Sequence, residues 1–194
     1  MAFLDSLKRQ AAQSLGQMEK QPAAGTGSQT WSVTLRELPV SLAQLQAMPE
    51  GALRQPEHTA ALTVAALCIY PINKEAALEM LHYLQGPRGL TPYDRQFLED
   101  RFRDKDYVPR SYFAGATPQN NYEPSEPYTI TVFENPYSRS QIQEGYLTLH
   151  VRSGGADSPR QIKLRNKPST GQWFLWEQFL LSDIRKPVSA DPWA

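Results

Sequence analysis

The chain has 194 residues, with 40% apolar and 10% aromatic side chains, which suits one domain of ordinary size with a buried core. Twenty basic residues balance twenty acidic ones, so the broad positive field of a general nucleic-acid binder is missing, and no nucleic-acid partner is expected. The single cysteine, Cys68, excludes an internal disulfide, and no apolar run reaches the length of a membrane span.

Residues 1–20 place Phe3, Leu4, Leu7, Ala11, Leu15 and Met18 at helical spacing, with Asp5, Lys8, Arg9 and Lys20 on the rest of the wheel. Lys8, Arg9 and Gln10 interrupt any signal-peptide core, so a reducing cytoplasmic location is the expectation. Residues 21–29, rich in Ala, Gly, Ser and Thr, read as a flexible linker. The domain proper is expected over residues 30–194.

Trp31, Val33 and Leu35 alternate with polar residues and predict a strand that Pro39 ends. Ser41 caps a short helix through Met48. Residues 56–70 have almost no polar face and predict a fully buried central helix. Asn73 caps the next helix, with Leu78, Leu81 and Leu84 on one side, closed by Gly86 and Pro87. Thr91, Pro92 and Asp94 start a third, whose inner face is Phe97, Leu98 and Phe102. Residues 108–127 lack periodicity and form a long loop that is either packed down or functional. Alternation then predicts strands at 128–133, 146–152, 161–165 and 172–178, joined by short turn-rich connectors, with a last helix over 179–184. The fold class is α+β, a helical layer on a four- to five-stranded antiparallel sheet. Cystatin-like and nuclear-transport-factor-like cones share that order of helices followed by a meander.

Metal-ligand spacing is absent among His58, His82 and His150, and no metal or cofactor is expected. The stretch D-R-Q-F-L-E-D-R-F-R-D-K-D (94–106) interleaves acids and bases, which suits a solvated helix face better than a general acid/base pair. Gly154 and Gly155 join two strands and open no helix, so they read as a hairpin loop rather than a phosphate cradle. The remaining constellation is aromatic and basic: Arg110, Tyr112, Phe113, Tyr122, Tyr128, His150, Trp173 and Trp176. These are the candidate pocket residues, although aromatics on a sheet also serve as core packing.

The runs A-A-L-T-V-A-A-L-C-I-Y-P (60–71), D-Y-V-P-R-S-Y-F-A-G-A-T-P-Q-N-N-Y (106–122), P-S-E-P-Y-T-I-T-V (124–132), S-G-G-A-D-S-P-R (153–160) and K-P-S-T-G-Q-W-F-L-W-E-Q-F-L-L (167–181) are distinctive. Across residues 30–194 the chain resembles a bacterial family, a domain of unknown function met mainly in Firmicutes. That resemblance implies a bacterial cytoplasmic protein and carries no activity, cofactor or catalytic residue. The opening F-L-D-S-L-K also resembles the membrane-binding helix that starts some bacterial envelope-stress proteins. The reading favoured by the residues is a non-catalytic binding or scaffold module. Its tethered helix, through Phe3, Leu4, Leu7, Leu15 and Met18, contacts a protein partner or a second copy. The alternatives are an enzyme or small-ligand binder with an aromatic, Arg-lined pocket, and peripheral membrane association through the same helix.

Overall fold

The computed structural model describes residues 28–190 and residue 193; the expected helix at 1–20 and all but the end of the linker lie outside the described residues. Five strands form one antiparallel sheet in chain order: β1 (Thr30–Leu35), β2 (Tyr128–Phe133), β3 (Tyr146–Val151), β4 (Arg160–Lys167) and β5 (Gln172–Gln178). Between β1 and β2 the chain builds α1 (Leu42–Ala47), α2 (Pro56–Ile69), α3 (Lys74–Leu84) and α4 (Pro92–Phe102). The protein is therefore α+β, with a helical layer against the sheet.

Alternation sends Val33 and Leu35, Ile130 and Val132, Leu147 and Leu149, and Ile162 and Leu164 into the core. α2 lies against this surface, in contact with β1, β2, β3 and β5. Its alanines, Ala60, Ala61, Ala65 and Ala66, bring its backbone close to its neighbours, and every residue from Thr59 to Ile69 is buried. Burying a helix on all sides requires a partner for each polar side chain. Thr59 Oγ1 donates to the Trp173 carbonyl and Thr63 Oγ1 to the Thr59 carbonyl, both at 2.8 Å. The helix starts follow the capping residues: Ser41, Asn73 and Thr91 each accept a first-turn N–H, and Thr91 and Asp94 complete a capping box.

The long loop packs into the domain. Phe113 bridges to Ile130, and the Ala114 N–H donates to the Thr129 carbonyl, extending the sheet beside β2. The Tyr112 hydroxyl donates to the Leu180 carbonyl and the Tyr122 hydroxyl to the Arg185 carbonyl, both at 2.6 Å.

One expected element is absent: residues 179–184 form turns, not a helix. Side chains take the carbonyls that a helix would use. Tyr112 holds that of Leu180, Ser182 that of Phe179, and Arg160 that of Asp183. The segment follows the core surface with Leu180 and Leu181 inward.

The register aligns one row of residues across the whole sheet. Thr30 pairs with Phe133, Phe133 with His150, and His150 with Gln161, whose carbonyl accepts the Phe179 N–H. The point where the chain enters β1 therefore lies on the same row as Phe179, just past β5.

Candidate functional site

A cleft of about 440 Å³ opens where the end of α3, the turn after it, one face of α4 and the end of β5 converge. Leu67, Leu81, Leu98, Leu175 and Leu181 form its apolar floor. Tyr93, Phe97, Trp176 and Phe179 line its rim, with Tyr93 77% and Phe179 52% exposed. Helical spacing makes the α4 wall: Tyr93, Phe97 and Arg101 follow at four-residue intervals, so they share a face. Leu98 and Phe102 sit one position on and point into the core.

Two polar groups define the chemistry. Gln85, at the end of α3, is only 8% exposed, and its buried Oε1 has no hydrogen-bond partner. An unpaired amide oxygen in an apolar wall costs about 1–3 kcal/mol, so a side-chain rotation that presents it to a donor in the cleft is favoured. Arg88 is fixed: it grips Asp94 with both contacts at 3.2 Å, donates to the Trp176 carbonyl at 3.0 Å and covers the Trp176 ring at 5.6 Å. Its hydrogen bond covers part of the β5 edge, where an open strand would invite pairing. Arg101 instead rests 5.2 Å over Phe97 and has no carboxylate within ion-pair reach among the described residues. The cleft thus offers an apolar bed, an aromatic rim, the Gln85 acceptor, the exposed Glu177 carboxylate and the Arg101 guanidinium. A second hollow, of about 600 Å³, lies between the end of β1 and α1; its lining includes Arg36, Glu37 and Gln44, and it holds no buried unpartnered polar atom.

Of the eight aromatic and basic residues singled out in the sequence, Trp176 lines the cleft. Tyr112 and Tyr122 are core tyrosines, Phe113 packs on Tyr128 at 5.6 Å, and the half-buried Trp173 packs against the core. Arg110 reaches Glu123 at 3.8 Å. Apart from Trp176 these side chains do not line the cleft, and the long loop over residues 108–127 contributes nothing to it. Burial pushes the Tyr122 hydroxyl up to about 12, the neighbouring Tyr107 adding to the effect and Arg185 opposing it.

His150 is not the exposed strand histidine its polar face predicts. It is 5% exposed, covered by the segment after β2, with Nε2 3.2 Å from Asn135 Nδ2 and Nδ1 unpartnered. Beside it, buried Glu134 holds Arg139 through two hydrogen bonds of 2.8 and 2.7 Å.

Part of the interleaved charge of residues 94–106 is used structurally. Asp94 caps α4 and Asp100 meets Arg103 at 3.7 Å. Gly154 and Gly155 are anchors: the Gly154 N–H donates to the Ser111 carbonyl, and a Cβ on Gly155 would strike Tyr122 and Ile184. Cys68 is buried, and its desolvation raises the thiol far above its ordinary value, which leaves it without thiolate character. Among the described residues no cluster of His, Cys, Asp and Glu is arranged to hold a metal ion, and no helix is long and apolar enough to cross a membrane.

Sequence reasoning missed Gln85, Arg88 and Arg101. The available signal was the stripe Tyr93–Phe97–Arg101, adjacent on the helical wheel to Leu98 and Phe102.

A family model, Domain of unknown function (DUF6935), matches residues 37–188. The chain belongs to that family. The matched stretch contains every residue lining the cleft. No curated protein and no solved structure matches the chain.

Proposed function

We propose that this DUF6935 member is a non-catalytic binding module of a bacterial cytoplasmic protein, and that the cleft between α3, α4 and β5 is its recognition site. The observation that carries this reading is the Gln85 amide, buried in the cleft wall with an unsatisfied acceptor. Together with Arg101 over Phe97, it suits an amphipathic protein segment that brings apolar side chains and a hydrogen-bond donor. The lining hydroxyls support binding rather than catalysis: the Ser182 hydroxyl is spent on the Phe179 carbonyl, and no histidine lines the cleft to activate it. In this reading residues 1–20 are a tethered interaction helix.

The test is titration with anilinonaphthalene sulfonate, an apolar dye with one anionic group, read by fluorescence. Arg101→Glu and Phe97→Ala should each weaken dye binding about tenfold, which is ~1.4 kcal/mol, with the melting transition retained. Unchanged affinity in both variants would remove the cleft as the recognition site.

A further inference from the structure

The occupant of the cleft can be narrowed, resting on the reading just given. We infer that the cleft receives residues 1–20 of its own chain, so that the amphipathic segment docks in cis and competes with any external ligand.

Position is the first argument. The chain enters β1 at Thr30, and the Gln29 carbonyl accepts the Glu134 N–H at 2.8 Å, so the backbone is tied to the β1 edge of the sheet at that point. The row Thr30–Phe133–His150–Gln161–Phe179 leads straight to the cleft rim. Four inter-strand steps cover ~19 Å. Eight residues, 21–28, span up to ~26 Å when extended, so the segment can reach the cleft without distorting the sheet. In cis the linker also holds it at a high effective concentration, which a separate partner lacks.

Complementarity is the second. At helical spacing Phe3, Leu4, Leu7 and Leu15 would fall on one stripe, and the cleft floor is leucine with an aromatic rim. Gln10 and Ser14 follow Leu7 by three and seven residues, Gln10 at the margin of that stripe and Ser14 within it, and each carries the donor that Gln85 Oε1 lacks. An isolated helix of this length is marginal in water and folds best on a surface that covers its apolar side.

The experiment uses the full chain throughout. Leu7→Cys is combined with Tyr93→Cys on the cleft rim, or with Tyr137→Cys, which is also exposed but lies in the segment after β2, near the entry to β1. Mild oxidation should give an intramolecular disulfide with Tyr93→Cys and much less with Tyr137→Cys, read as a reduction-sensitive mobility shift of the monomer. In parallel, Leu4→Asp/Leu7→Asp should raise anilinonaphthalene sulfonate affinity at least threefold over the unmodified chain, because the dye no longer competes with the segment. Disulfide-linked dimers in place of the monomer product would overturn docking in cis in favour of a second copy. Equal dye affinity in both chains, with no cross-link at Tyr93→Cys, would overturn the occupant while leaving the cleft a binding site. Dye binding to neither chain would remove the cleft, and this proposal with it.

Discussion

The imidazole of His150 lies 5.6 Å from the Phe133 ring, centroid to centroid, with an unpartnered Nδ1. Burial lowers its pKa from the ordinary value, since the charged form loses hydration, and the neighbouring Phe133 backbone opposes part of that shift. The sign of the resulting linkage is fixed. Below about 6.5 the unfolded chain takes up a proton that the folded chain resists, so stability is full above that value and is lost as pH falls toward the lowered folded value. The denaturation midpoint should therefore drop more steeply between about pH 7 and pH 5 in the unmodified chain than in His150→Gln. Parallel midpoints in urea titrations would show that His150 does not titrate in the fold. The sequence placed His150 on the outward side of β3, which is correct for the strand; burial there comes from the loop after β2, a tertiary event that alternation cannot report. Gln85 was invisible for a similar reason. It follows the α3 helix as an ordinary polar residue, and only the turn that brings Arg88 over Trp176 encloses it.

Elements were more legible than residues. Strand alternation and helix caps are local codes, and Ser41, Asn73 and Thr91 cap where their side-chain chemistry predicts. The exception, residues 179–184, failed because its carbonyls find partners on distant elements. α2 is the element on which the rest is assembled. Leu62 and Leu67 are fully buried in it, among alanines too small to fill a void. Leu62→Ala should cost ~2–5 kcal/mol in denaturant titration, the range for a core cavity that collapses little. A loss under about 1 kcal/mol would contradict the close packing of α2 between sheet and helices. The Arg88 turn has a different role: it ties the edge of β5 to α4, so the cleft wall is held by three contacts of one guanidinium.

At the scale of the whole molecule, the family match spans residues 37–188. Removing residues 1–28 should leave a cooperative melting transition shifted by less than about 4 °C, equivalent to ~1 kcal/mol for a chain of this size. A much larger drop would make the N-terminal segment part of the core. β1 and β2 are neighbours in full register from Thr30–Phe133 to Leu35–Tyr128, yet all four helices are threaded between them. During synthesis, β1 leaves the ribosome long before its partner strand exists. At ordinary elongation rates it waits ~5–20 s with its backbone amides unmatched. The helical layer can collapse in that interval, but the sheet completes itself last, from its oldest strand to its newest. High contact order of this kind slows folding, and it makes the first strand the segment most exposed to mispairing with a neighbouring nascent chain.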